Sequence, residues 1–299
     1  MLNPPLSDDL IGYLVEHVAR LGLAFVNRAL HNLSLTNPAF TEFCQKYIFR
    51  TLTLGAGGTS LSTRLKNVKR ILDDKPSFAD RVRKIQLVIG YSQNAWLFQN
   101  PGSEDLRRKD VACAVTFISI LELLPNSPMP PHELHLNLGL YRVEDPLLVV
   151  GQLSQSFFSQ TLTIPHLTHC KNVPLPIFLV CPQLKKIRFD RVIAAEGYDK
   201  YPDEQCSGRK PPALELFGCS HSETVIRQMI TPPPRFHTPV VLWSKLRVLA
   251  LTPGGREALA CLRPILDAAC TTLEELYLSA VLNMDSSRCG VFFCKVMKI

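Results

Sequence analysis

The chain has 299 residues and a formal net charge of +7, from 33 Lys and Arg against 26 Asp and Glu. Apolar residues make up 46% and charged residues 20%, which excludes global disorder and allows one large domain or a small module with a larger one. The modest positive charge favours loose attraction to polyanions without identifying a partner.

Cysteine usage and the apolar runs predict where the protein resides. Ten cysteines occur without a CxxC pair, and Cys113 and Cys261 stand within apolar stretches, as reduced thiols do. We therefore expect a reducing compartment, cytoplasmic or nuclear. Asp8 and Asp9 argue against a secretory leader, and the uncharged run Val111 to Leu121 is too short to cross a bilayer. A soluble protein with no membrane contact is predicted.

The first fifty or so residues read as three short helices. Residues 6–18 place apolar side chains at helical spacing after a Ser7 or Asp8 cap. Further helices are predicted over about 22–33 and 38–49, separated by an Asn-Pro turn signal.

A strand and a glycine loop follow. The stretch from Phe49 to Leu54 alternates as a strand and runs into Gly55-Ala56-Gly57-Gly58. Phosphate binding by this loop is disfavoured, because the Lys-Ser/Thr ending of a P-loop is absent.

From residue 82 onward one apolar pattern recurs and predicts short strands. Its occurrences are Val82-Ile85-Leu87, Leu134-Leu136, Leu162-Ile164, Leu184-Ile187-Phe189, Leu214-Leu216, Leu246-Leu249-Leu251 and Leu273-Leu276-Leu278. An LxxLxL strand at an interval of roughly 20 to 29 residues is the signature of leucine-rich repeats, in which each strand buries its inward leucines against its neighbours. Intervening segments such as 111–124, 222–230 and 257–269 are predicted to be helices that cover the outer side.

The predicted fold class is therefore α/β. We expect a three-helix module over 1–54, a linker with a helix leading into the repeats over 55–81, and an irregular leucine-rich repeat solenoid of short parallel strands and helices over 82–299. The missing polar cap after residue 288 raises the hypothesis of a truncated C-terminus. The alternative is an ordinary α/β domain with accidental spacing, since the asparagine of the most regular repeats is absent.

No catalytic chemistry is recognised. There is no GxSxG elbow and no recognisable nucleophile motif, so neither a catalytic residue nor a cofactor is predicted, and a hydrolase is the third-ranked hypothesis. Three clusters, His132-x-x-His135, His166-x-x-His169-Cys170 and Cys219-x-His221, lack convergent ligand pairs for zinc. We expect these histidines to flank the strands as partly exposed side chains, with no metal. Trp96 and Trp243 are interpreted as core residues, with binding anchors as the alternative.

Residues 6–54 resemble the F-box-like module at the head of many fungal proteins. There, a Leu-Pro-x-Glu-Leu start leads into an apolar helix and a later segment reads Leu-Phe-Arg-x-Leu-x-Leu. Here the start is Leu6-Ser-Asp-Asp-Leu-Ile-Gly-Tyr-Leu-Val15, with Ser7 in place of the proline and Phe40 in place of a later tryptophan, and the later segment is Ile48-Phe-Arg-Thr-Leu-Thr-Leu54. Residues 71–87 look like the link by which these proteins enter their repeats.

The resemblance implies a non-catalytic substrate receptor of an SCF-type ubiquitin ligase. The F-box of such receptors holds a Skp-type adaptor on a cullin scaffold, and the repeats hold a protein target. Residues for the adaptor and for the core of the module are expected among Leu6, Leu10, Ile11, Leu14, Leu33, Leu35 and Phe40. The second hypothesis is a repeat scaffold that binds protein or nucleic acid without ligase attachment. Ser7, Phe40 and the basic run from Arg64 to Lys84 support this second hypothesis. The favoured interpretation of the run is a solvated face, and nucleic acid is not the expected partner.

Overall fold

The structure is a computed structural model with an α/β fold. It describes residues 7–21, 26–55, 61–88, 108–124, 127–138, 159–195, 209–231, 239–252, 260–281 and 291–296.

Three helices open the chain, as the sequence predicts: α1 (Asp8–Arg20), α2 (Val26–Thr36) and α3 (Pro38–Ile48). Side-chain oxygens cap two of them. The Ser7 hydroxyl accepts from the Leu10 N–H at 3.4 Å, and Asn37 Oδ1 accepts from the Ala39 N–H at 2.9 Å. The helices enclose a small core around the buried residues Val15, Leu30 and Cys44.

A nine-stranded sheet follows, with its strands in chain order. The strands are β1 (Thr51–Leu54), β2 (Lys84–Val88), β3 (Glu133–Asn137), β4 (Ile164–Thr168), β5 (Lys186–Asp190), β6 (Leu216–Ser220), β7 (Val248–Thr252), β8 (Glu275–Val281) and β9 (Val291–Val296). Strands β1 to β8 are parallel, whereas β9 is antiparallel to β8. The antiparallel strand was not anticipated from the sequence.

Helices connect several of the parallel strands. They are α4 (Leu61–Asp74) with the 3-10 helix Pro76–Arg81, α5 (Arg108–Leu123), the 3-10 helix Leu175–Val180, α6 (Glu223–Ile230) and α7 (Leu262–Ala269). Because each parallel strand neighbours the next one in the chain, every strand with its return segment forms one coil. A parallel sheet alternating with helices is consistent with a repeat solenoid at this level of description.

The same backbone contact recurs at every step between parallel strands. The carbonyl of the residue immediately before one strand accepts two hydrogen bonds, from the N–H groups of the corresponding residue and of the first strand residue in the next coil. The acceptors are Arg50, Arg83, His132, Thr163, Lys185, Glu215 and Arg247, with N···O distances of 2.7 to 3.2 Å. Each coil is thus set on the previous one in a fixed register.

Inward side chains form two rows across the sheet. One row contains Ile187, Phe217 and Leu249, each 0% exposed.

Two predicted registers are wrong. In β4 and β6 the inward pairs are Pro165 with Leu167 and Phe217 with Cys219, so each predicted pair lay three residues too early.

This shift has a packing cause. Leu162 and Leu214 are buried, but they precede their strands and occupy the position that Leu184 holds before β5. The phenyl ring of Phe217 then packs edge-on against Trp243, with 5.1 Å between the ring centroids. Trp243 is 8% exposed, which confirms its interpretation as a core residue, whereas Trp96 lies outside the described residues.

The sheet begins earlier than residue 82. Strand β1 pairs with β2, Leu52 opposite Ile85 and Leu54 opposite Leu87, and it therefore packs with the sheet. The helices join this first coil through the Phe49 and Phe78 rings, which stack with centroids 4.3 Å apart, and through a hydrogen bond from Arg81 to Gln45 Oε1 at 2.8 Å.

Buried polar side chains also link neighbouring coils. The Ser222 hydroxyl, on a residue 2% exposed, accepts from the Val192 N–H of the preceding coil at 2.8 Å and donates to the Ser220 carbonyl at 2.8 Å. Two coils earlier, the Cys170 thiol donates toward the Leu136 carbonyl of its preceding coil at 3.8 Å. These contacts provide hydrogen-bond partners for backbone N–H and C=O groups that are not paired within the sheet.

Replacing Gly55 should destabilise the first coil. Gly55 has φ of +93°, and a Cβ there would lie 2.0 Å from the Val88 carbonyl oxygen. Gly55→Ala should lower the free energy of unfolding by more than about 1 kcal/mol. Gly218→Ala is the control, because its Cβ would meet the flexible Arg188 side chain at 3.4 Å. Equal urea midpoints for the two variants would contradict this account.

Removing the Ser222 hydroxyl should weaken the junction between two coils. Ser222→Ala leaves the buried Val192 N–H without its acceptor, and we expect a loss of about 1–3 kcal/mol in urea unfolding. Ser244→Ala, at an exposed serine of the next coil, should change stability by less than about 0.5 kcal/mol.

Candidate functional site

The seven module residues singled out from the sequence fall into two environments. Ile11 is buried at 2% exposure, and Leu33 and Phe40 are partly buried against the helical core. By contrast Leu10, Leu14 and Leu35 are 43%, 41% and 72% exposed. Leu6 lies outside the described residues. The structure thus separates core residues from surface residues, a division that the sequence did not provide.

Helix α1 carries a second apolar face toward solvent. Tyr13 and Leu21 are 66% and 50% exposed, and with Leu10 and Leu14 they recur at helical spacing. We call these four residues the α1 stripe. The Tyr13 ring stacks on His17, with centroids 6.4 Å apart. Sequence reasoning missed Tyr13 and Leu21, although the same 3.6-residue period includes them.

The sheet presents a second surface, on the side opposite its inward rows. We call the outward side chains of β1 to β8 the open face. The strand register aligns its central row, which consists of Thr53, Gln86, His135, His166, Arg188, Gly218, Ala250 and Tyr277. This row is polar over β1 to β5 and loses its polar groups at Gly218 and Ala250.

Two imidazoles are stacked at the centre of the open face. His135 on β3 and His166 on β4 are register partners, and their rings are parallel within 4° with centroids 4.2 Å apart. Burial, with His166 and Lys84 nearby, lowers the pKa of His135 to about 4. Burial also lowers the pKa of His166, with Arg188 and Lys84 acting in the same direction and Asp190 opposing them. Both rings are therefore neutral at pH 7.

Three cations lie around this pair. Lys84, Lys186 and Arg188 project from the open face, and none of them forms an ion pair within the described part of the chain. The carboxylates on the same region are Glu133, which lies 3.8 Å from His132, and Asp190.

The cations at the border of the sheet differ from these. Lys185 pairs with Glu215 at 3.5 Å, and Arg247 Nε lies 2.8 Å from Glu274 Oε1. Among the described residues, the three cations of the open face are thus unpaired, whereas these two border cations are paired.

The predicted placement of the histidines is wrong for two of them. His135 and His166 lie within β3 and β4 rather than flanking the strands. His169 and His221 do follow β4 and β6, both with positive φ, and His169 Nε2 lies 3.0 Å from Arg191. Within the described ranges, no group of three or more His, Cys, Asp or Glu side chains could hold a metal ion.

Three buried thiols, those of Cys170, Cys181 and Cys219, are unsuited to nucleophilic chemistry. Burial raises the pKa of Cys170, Cys181 and Cys219 to about 12 in each case. A nucleophile must be a thiolate near neutral pH, and these three groups stay protonated.

Comparison with known proteins gives no relative: no family model matches the chain, and no curated protein matches it. Across the described residues, no helix combines the length and the apolar character needed to cross a membrane.

Acid should destabilise the sheet through the stacked histidines. The folded pKa of each lies below the unfolded value of about 6.5, so the unfolded state binds more protons as the pH falls. The free energy of unfolding is therefore highest above about pH 6.5, and the contribution of these two groups decreases from there toward pH 4. Urea midpoints at pH 7.5 and 5 should differ less in His135→Gln than in the unmodified chain. An unchanged pH dependence would contradict this explanation.

Proposed function

We propose that the chain is a non-catalytic substrate receptor, in which the helical module docks a Skp-type adaptor of an SCF-type ubiquitin ligase and leucine-rich repeats bind a protein target. The observation that carries this proposal is the α1 stripe on a module attached to a repeating sheet. One surface then recruits the ligase, and the other holds the target near the transfer site by raising its effective concentration.

Repeat geometry supports the leucine-rich repeat assignment. In β5 and β7 the pattern Leu-x-x-apolar-x-apolar places its last two apolar residues inward, and Leu184 and Leu246 are buried ahead of the strands. The repeat consensus has Asn or Cys three residues after the last strand leucine. Cys170 and Ser222 stand at that position and bond to the preceding coil as described above. The missing asparagine therefore has substitutes.

The α1 stripe supports the adaptor assignment. Isolated apolar side chains on a surface are ordinary, but four on one helical face form a patch that favours burial against a partner. Burial of a leucine contributes roughly 1.5–3 kcal/mol, so a few such residues suffice for a specific contact. Ile11 and Val15 hold the opposite side of the same helix in the module core.

A charge in the α1 stripe should abolish adaptor capture. We expect Leu14→Asp and Leu10→Asp to reduce pull-down of a purified fungal Skp-type adaptor at least tenfold, because a carboxylate would be desolvated in the contact. The measurement is adaptor bound per mole of tagged full-length chain, with thermal melting to verify that the sheet remains folded.

The matched control is Ile193→Asp, an exposed isoleucine after β5 with the same 43% exposure as Leu10. This variant should leave adaptor capture unchanged. Equal capture by Leu14→Asp and the unmodified chain would refute adaptor docking through α1.

A repeat scaffold without ligase attachment is the alternative, and one observation favours it. Helix α4 exposes Lys66 and Arg70, and neither takes part in an ion pair within the described ranges, whereas Lys69 pairs with Asp73. Nucleic-acid binding that falls steeply with salt, with no adaptor captured, would support this alternative.

A further inference from the structure

The open face between β2 and β5 combines charge and shape in a way that the proposed function leaves unexplained. Lys84 lies on one side of the stacked rings of His135 and His166, in the neighbouring row of outward side chains and opposite Glu133. Arg188 lies on the other side, in the same row as the rings. The neutral stack is a flat platform about two strands wide. Its flanking cations are directed to the same side of the sheet.

The spacing fits an extended chain. Lys84 and Arg188 are three strand intervals apart, about 14 Å at roughly 4.8 Å per interval, and Arg188 is also displaced by two residues along the strand direction, so their separation is about 16 Å. A peptide laid across the strands rises about 3.4 Å per residue, so side chains four residues apart span a similar distance. Two carboxylates at that spacing could each meet one cation.

Charge selects among possible ligands. A metal cation is disfavoured, because Lys84, Lys186 and Arg188 surround the imidazoles. A nucleic acid is also disfavoured, because its closely spaced phosphates would be brought against the carboxylates of Glu133 and Asp190. Two separated carboxylates on a peptide bring fewer negative charges beside Glu133 and Asp190 than a phosphate backbone does.

We propose that the open face of β2 to β5 binds an extended acidic segment of the protein target, with carboxylates at Lys84 and Arg188 and the peptide backbone over His135 and His166. This inference rests on the proposed function, since it names the class of target that the receptor would hold. Lys186 adds a third cation beside Arg188.

Binding should take up protons. A carboxylate close to the imidazoles favours their charged form, so affinity rises as the pH falls from 7.5 to 6 while the peptide carboxylates stay ionised. The charged groups that face the stack are Lys84 on β2, Glu133 on β3, and Lys186, Arg188 and Asp190 on β5.

The test uses the full chain and a fluorescein-labelled peptide with glutamates four residues apart, followed by fluorescence anisotropy at low ionic strength. Arg188→Gln should weaken binding roughly threefold or more, because an unpaired cation of the contact is lost. Arg247→Gln removes the same charge from the border of the sheet and should change binding less than twofold. Lys84→Gln provides an independent second variant.

A double variant, His135→Gln with His166→Gln, should abolish the increase in affinity between pH 7.5 and 6. Any pH dependence that persists in this variant comes from groups other than the stacked pair. Equal effects of Arg188→Gln and Arg247→Gln would overturn the proposal, as would equal binding of a glutamine-substituted peptide or tighter binding of an oligonucleotide of matched charge. Adaptor capture is measured on the same samples. If the chain captures the adaptor but does not bind the peptide, only this inference is refuted. If it binds the peptide but does not capture the adaptor, only the ligase assignment is refuted.

Discussion

Backbone hydrogen bonding from one coil to the next is the constraint on which the sheet depends. Seven carbonyls, from Arg50 to Arg247, each accept two N–H groups of the following coil at the same point of the repeat. Since side chains alternate between the faces of a strand, a slip of one residue would move every inward leucine outward. The repeated contact prevents that slip although the connecting segments differ in length and in type of helix.

The same register creates the open face. His135 and His166 are 31 positions apart in the chain, and nothing local brings their rings together. They stack because each occupies the central outward position of its strand, and neighbouring strands lie about 4.8 Å apart. Arg188 joins them for the same reason, whereas Lys84 lies in the neighbouring outward row, opposite Glu133. The row of polar groups therefore follows from the inward apolar pattern, which fixes where the outward residues must lie.

The strands could be predicted from the sequence, but not all of their registers. The spacing of leucines identified β2 to β8, yet in β4 and β6 the inward positions belong to Pro165, Phe217 and Cys219, which a search for Leu-x-Leu passes over. The histidine pair was missed because it depends on pairing between strands. The exposed leucines of α1 and its buried residues Ile11 and Val15 share one helical period, so only packing against α2 and α3 distinguishes Leu10 from Ile11.

The contact between the helical module and the sheet determines how the α1 stripe and the open face are held relative to each other. Phe49 stacks on Phe78, and Arg81 contacts both the Phe78 ring, at 5.4 Å, and Gln45. Phe49 and Arg50 lead directly from α3 into β1, without a flexible linker between module and sheet. A flexible joint would let a bound target occupy many positions relative to a partner on α1. A packed joint of this kind limits the target to few positions and so keeps its effective concentration near that partner high. The gain in effective concentration therefore depends on this contact as much as on either surface.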